Sequence, residues 1–279
     1  YEGWSYGKDF STWNNTFVQG SGSGPAARLK TGTSEGNSKI GVKGQEDLGN
    51  GVAAVFKLEG EINGDTGTSN LFNKESTVGL KGAFGEVKVG RAKSQMELAL
   101  GGVVPGHRAA DVDLYSVVAS RHSNGLFYSY DNAGFSFGAD VTTKGGALDV
   151  AEGATGSKVG YGVRAGYAGQ VGGGVTLLAR AAYQRDGVVL ANNKQQYEAG
   201  GLLAAVVPYA NNALTVGVAY AQGRGYASDL RDAKFSAGRI YADKARTWSG
   251  VIASSFGPND SAYVKYQQRK GKLDNGTVA

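Results

Sequence analysis

Between Ser38 and Arg91 the chain alternates, residue by residue, between apolar side chains and polar or small ones. Four segments carry the pattern: Ser38–Gly44, Gly51–Glu61, Phe72–Gly82 and Glu86–Arg91. A period of two is the signature of a strand whose two faces meet different surroundings. The links between the segments are unequal. Gln45–Asn50 and Ala83–Gly85 are short and turn-like, whereas Ile62–Leu71 is longer and rich in Gly, Asn, Asp and Thr. Tight turn, long link, tight turn is the rhythm of an up-and-down antiparallel barrel with one short-turn rim and one long-loop rim.

The rhythm continues after one interruption. Strands are expected at Gly125–Asp131, Phe135–Thr143, Ser157–Ala168, Val175–Arg185, Gln196–Tyr209, Leu214–Gln222, Thr247–Phe256 and Ser261–Gln268. Tyr1–Val18 reads as a first strand with aromatics, and a further strand is expected around Ala26–Thr31. Gly223–Lys244 reads as a second long loop. The interruption is Ala92–Ala119, with a helix-like Ser94–Leu100 followed by Gly101, Gly102, Pro105 and Gly106. A link that long inside a compact domain is usually functional. About thirteen strands are visible, all in one domain spanning residues 1–279. A bacterial single-chain membrane barrel closes with an even strand number, so sixteen are expected in an intact protein, with the C-terminal portion absent from this sequence.

Composition separates a membrane barrel from a soluble sandwich only weakly. No run of about 18 apolar residues exists, which excludes an ordinary transmembrane helix. The mean hydropathy of −0.28 is compatible with a barrel because lipid-facing and lumen-facing residues average out. The 15 Tyr suit aromatic girdles, and the absence of Cys permits an oxidising compartment. The net charge of +5 favours anionic solutes, but the 29 basic residues are dispersed among 24 acidic ones, without the basic block of a nucleic-acid arm.

The polar faces of the strands carry the functional signal. By parity Lys39, Lys43, Lys57, Lys81, Lys88, Arg164 and Arg180 lie opposite the apolar stripe. In a soluble sandwich they would be solvated surface charge. In a membrane barrel they must face the lumen, because a charge facing lipid at mid-membrane costs about 2–4 kcal/mol. Gly160, Gly162 and Gly166 share that parity and read as barrel curvature, or as a close-packed pore wall. Arg91 falls on the side of Val89 by strict alternation, where the strand gives way to the long link.

Catalysis finds little support. His107 and His122 are the two histidines, with Asp111, Asp113 and several Ser nearby in sequence, but no G-x-S-x-G elbow occurs. Metal-ligand spacings and phosphate-binding glycine motifs are absent, so neither a metal nor a cofactor is expected.

The blocks KIGVKGQEDLGNGVAAVFKLE and FNKESTVGLKGAFGEVKVGR resemble the N-terminal signature of the Gram-negative general porins, the neisserial and β-proteobacterial trimeric type. The resemblance implies a homotrimeric outer-membrane channel, not an enzyme, passing small hydrophilic solutes and ions among outer-membrane lipid and lipopolysaccharide. It places a constriction loop at Ala92–Ala119, bringing Glu97, Asp111 and Asp113 into the pore. It also places a pore arginine at Arg91. The family's Arg-Tyr-Asp after that loop is Ser129-Tyr130-Asp131 here, with Arg121 the nearest arginine. A basic wall facing an acidic loop would set a transverse field across the eyelet that orders water and favours polar over apolar solutes, and lysines lining the lumen would prefer anions. The alternatives are a channel selective for organic anions and an outer-membrane barrel hydrolase using one of the histidines.

Overall fold

The computed structural model describes residues 2–5, 30–33, 39–63, 68–100, 120–143, 158–189, 195–210, 212–227, 240–255 and 261–273. Two short strands, β1 (Glu2–Ser5) and β2 (Lys30–Thr33), pair with each other. The remaining twelve form one antiparallel sheet in which each strand pairs with the next in sequence. They are β3 (Lys39–Gly49), β4 (Val52–Asn63), β5 (Thr68–Gly82), β6 (Gly85–Lys93), β7 (Arg121–Asn132), β8 (Phe135–Thr142), β9 (Gly160–Gly172), β10 (Val175–Val189), β11 (Gln195–Tyr209), β12 (Asn212–Ala227), β13 (Ile240–Ser255) and β14 (Ser261–Leu273). One helix, α1 (Gln95–Leu100), follows β6. No described helix is long and apolar enough to cross a membrane. The rest of the strand expected at Tyr1–Val18 lies outside the described residues.

The short links lie at one rim and are built for twist. Asn50 and Gly51, Ala133 and Gly134, and Gly173 and Gly174 all have positive φ. Two successive positive-φ residues make the hairpin turn whose twist matches that of its flanking strands. Ala133 accepts φ 49° although it carries a Cβ, so the hairpin geometry prevails over the residue's own preference.

Many strands run past their expected ends, mostly at the opposite rim. β10 and β11 are 15 residues each and β12 and β13 are 16, against the roughly 9–11 that cross a membrane at a tilt. β12 and β13 consume much of the loop expected at Gly223–Lys244. That stretch is rich in Gly, Ala and polar residues, and ladder hydrogen bonds hold it extended despite its loop-like composition.

The two faces differ as the alternation requires. Ile40, Val42, Phe56, Val78, Val89, Leu126, Val163, Leu203, Val216 and Ile252 all point outward and are exposed, Val42 at 57% and Ile252 at 54%. Apolar exposure this continuous marks a lipid-facing band. Aromatic side chains gather toward its margins, with Phe135 on Tyr167 at 4.9 Å and Tyr220 on Trp248 at 4.4 Å between ring centroids. The inner face is not uniform. It is charged on β3–β6. On β10–β13 it carries an apolar cluster, where Leu178, Ala182, Leu202, Ala204, Ala219, Val251 and Ala253 are buried with Met96, Ala99 and Leu100 of α1, beside buried polar residues such as Gln184, Glu198, Thr215 and Thr247.

Candidate pore lining and constriction

Parity and register place Lys39, Lys43, Lys57, Lys81 and Lys88 on the inner face together with Glu59, Glu61, Glu75 and Glu86. The result is a ladder of ion pairs. Lys39 meets Glu59 at 3.0 Å, and Lys57 bridges Glu59 at 3.2 Å and Glu75 at 2.7 Å. Lys88 reaches Glu86 at 2.9 Å and Glu75 at 3.6 Å, while Lys74 pairs with Glu61 at 2.7 Å. Among the described residues Lys43 and Lys81 make no ion pair, which leaves the ladder a small positive excess. The glutamates share the lysines' parity and were legible from it. The pairing follows only from cross-strand register.

Arg91 sits at an irregularity. The β6–β7 register breaks between Gly90 and Ala92, with Gly90 at φ 124° and Asn124 at φ 50°. Arg91 donates from Nε to the Asn73 carbonyl at 2.7 Å and from Nη1 to the Ser123 hydroxyl at 2.5 Å. Arg121 donates to the Lys74 carbonyl at 2.8 Å. Both arginines therefore fasten β6 and β7 onto β5, where Phe72 takes φ 61°.

Helix α1 is started by Ser94, whose hydroxyl accepts from the Glu97 amide at 3.4 Å, as an N-cap does. Glu97 itself pairs with Lys93 at 3.3 Å. Asp111 and Asp113, and with them His107, lie outside the described residues. The helix rests on the inner face of β8–β11. Glycines make the room: a Cβ at Gly138 would come within 2.3 Å of Gln95 Oε1, and one at Gly162 within 3.2 Å of the Gln95 side chain. A Cβ at Gly200 would meet Leu100 at 2.8 Å. Gly162 thus belongs to a helix seat, a role that barrel curvature alone did not suggest.

Polar contacts lock the helix down. Gln95 Oε1 accepts from Arg164 Nε at 3.0 Å, and the Met96 amide donates to Gln184 Oε1 at 3.4 Å. Gln184 in turn donates to Asp186 at 2.7 Å. His122 is fully buried, with Nδ1 at 2.5 Å from Asp140 and Nε2 at 3.0 Å from Asp186. Its neighbours among the described residues are carboxylates and an amide, with no described serine hydroxyl placed as a nucleophile would be. No cluster able to hold a metal ion occurs among the described residues. The site holds a helix against a wall, and its chemistry is that of position.

A family model described as Gram-negative porin matches residues 12–278. The chain belongs to that family. It is 36% identical over 112 residues to the major outer membrane protein P.IB of Neisseria meningitidis serogroup B, a match covering 39% of this chain and 34% of that protein. It is 52% identical over 68 residues to outer membrane porin protein 32 of Delftia acidovorans, covering 23% of this chain and 19% of that one. The chain thus matches about a third or less of the length of these curated relatives. In fold it is similar to the anion-selective porin of Comamonas acidovorans, with a TM-score of 0.55 at 23% identity over 91% of this chain and 75% of that one. The twelve-stranded sheet is therefore a porin barrel wall, and the protein's place is the outer membrane.

Proposed function

We propose that the barrel is a general diffusion channel, a water-filled passage through which small hydrophilic solutes and ions cross the outer membrane passively. The observation that carries this reading is the charged inner face of β3–β6 opposite an apolar outer face, with α1 folded against the inner wall. A wall built this way does no covalent chemistry; it keeps water in the lumen and sorts solutes by size and charge. Lys43 and Lys81, with Arg164 and Arg180 across the wall, give a net positive lining and an anion preference. Arg91 and Arg121 add charge at the long-loop rim, and Glu97, Asp111 and Asp113 supply the acidic side of the eyelet. The likeness to a porin described as anion-selective supports the same sign. Like the Vibrio cholerae relative described in trimer form, the protein would work as a homotrimer surrounded by outer-membrane lipid and lipopolysaccharide.

Single-channel recording in planar bilayers across a salt gradient tests this. Discrete conducting steps with a reversal potential of anionic sign are expected. Absence of steps, or a cation preference at low salt, overturns the channel or the sign respectively.

A further inference from the structure

Most basic residues of the inner wall with a carboxylate in reach have closed on it. Lys39, Lys57, Lys74 and Lys88 each meet a glutamate of β4, β5 or β6. Arg164 on β9 has not. Two charges act on it, Asp131 by attraction and Arg180 by repulsion. Among the described residues neither Arg164 nor Asp131 makes an ion pair. No bulk keeps them apart: register puts Asp131 beside Ser136 and Arg164 beside Gly138, so a serine and a glycine of β8 lie between them on the inner face. Arg180 stands beside Gly166, next along the same row, and its repulsion makes a pairing of Arg164 with Asp131 more favourable still.

Arg164 is instead held by Gln95, the buried first residue of α1, whose Oε1 accepts from Nε at 3.0 Å. The bond lies over bare backbone. A Cβ on Gly138 would press on acceptor and donor at once, and one on Gly162 would come within 3.2 Å of the Gln95 stem. Crowding at Gly138 therefore raises the two partners together and does not part them. A hydrogen bond from an ionised donor is stronger than one between neutral groups. An ion pair open to lumen water is worth little. A neutral acceptor can thus outcompete the carboxylate, and the choice of acceptor decides the charge of the wall. A carboxylate would cancel the guanidinium's field. An amide oxygen fixes the guanidinium and leaves its charge whole, with the other N–H groups of the fork still open to a solute.

We infer that Gln95 is a positioning residue for ion selection: by holding Arg164 on a neutral acceptor it keeps the guanidinium from pairing with Asp131, and so keeps the wall beside α1 positive. This assignment rests on the anion-preferring channel reading and adds to it a residue that carries no charge and is buried away from solutes. One side chain at the start of the helix then links the width of the passage to its sign.

Reversal potentials of the full-length protein in planar bilayers at low salt test it. Gln95→Leu, close in size but unable to accept, should lower the anion-to-cation permeability ratio severalfold. Asp131→Asn should raise that ratio several times more in the Gln95→Leu background than in the parent, because only there does Asp131 hold Arg164. A helix that had merely loosened would give no such coupling. Arg164→Lys leaves α1 untouched and keeps the charge, but has no Nε to engage Gln95. Its ratio should also fall, and Asp131→Asn should again restore it, so the inference can be judged even where Gln95→Leu does not fold. A parental ratio in Gln95→Leu or in Arg164→Lys overturns the proposal, as does an equal effect of Asp131→Asn with and without Gln95. The parent's own sign is read in the same recordings. A cation-preferring parent overturns the anion reading of the channel, whereas the coupling of Gln95 to Asp131 alone decides the inference.

Discussion

The inner wall has two halves that solve the same problem differently. On β3–β6 charges lie in the open and are paired in a ladder, with side chains such as Lys57 still 38% exposed. On β7–β11 polar groups are sealed around α1, and His122, Asp140 and Asp186 are inaccessible to water. Exposed pairs are worth about 0–1 kcal/mol each and weaken with salt. Buried ones are all-or-none, because removing one partner strands the other in a medium that cannot solvate it. The open half can thus change one residue at a time at little cost in stability, while the covered half fixes geometry.

The largest effect should come from the covered half. His122→Phe leaves two carboxylates buried without their shared partner, and breaking a buried pair in this way costs about 3–5 kcal/mol. The sheet keeps its ladder, so the barrel should still fold, while Gln184, which packs on His122 and accepts from the Met96 amide of α1, loses part of its support. A larger and noisier open-channel current is expected in bilayer recordings; a trace indistinguishable from the parent would erase the distinction between the halves.

Gly138→Ala should be next. Its Cβ would fall 2.3 Å from Gln95 Oε1 and 2.7 Å from Arg164 Nε, so the helix must lift or Gln95 must turn. Overpacking of this kind costs about 1–3 kcal/mol. A change in conductance without a change in ion selectivity is expected. Gly51→Ala has no neighbour to strike and serves as the comparison, its own cost being confined to φ 74°.

Selectivity should answer to the open half. Lys43→Glu with Lys81→Glu should move the reversal potential toward cations at low salt. The shift should fade as the Debye length falls from about 30 Å at 0.01 M to 3 Å at 1 M. A shift that survives high salt would mean that these lysines are less exposed to the lumen solution than the ladder implies.

The smallest effect is on stability. Lys57→Gln removes two ladder contacts, yet partly exposed pairs of this kind are worth only about 0–1 kcal/mol. Thermal unfolding followed by circular dichroism should barely move. A large loss would place the open wall in the same class as the covered one.

How far the sequence foretold this depends on the range of the signal. The alternation at Val52–Glu59 spans neighbours in the chain, so strand, face and lysine parity were all readable. The extra length of β12 and β13 was not, because Gly223–Ala227 and Ile240–Ala245 have loop-like composition and owe their extension to cross-strand hydrogen bonds. The helix at Gln95–Leu100 was visible, but its seat was not. His122, Asp140 and Asp186 lie 18 and 64 residues apart on three strands, and no local period links them. Only the register of β7 through β10 brings them to one point. Arg91 shows the intermediate case: its break in parity was apparent, while its commitment to Asn73 and Ser123 needed the bulge at Gly90 and Asn124.

The turns at Asn50–Gly51, Ala133–Gly134 and Gly173–Gly174 have one further meaning. Each hairpin takes its alignment from the tight rim, where backbone conformation leaves no freedom to slip. A strand set in register at its turn needs no help from its far end, so the sheet can be lengthened pair by pair away from the tight rim, as it is in β12 and β13, without realigning the residues below.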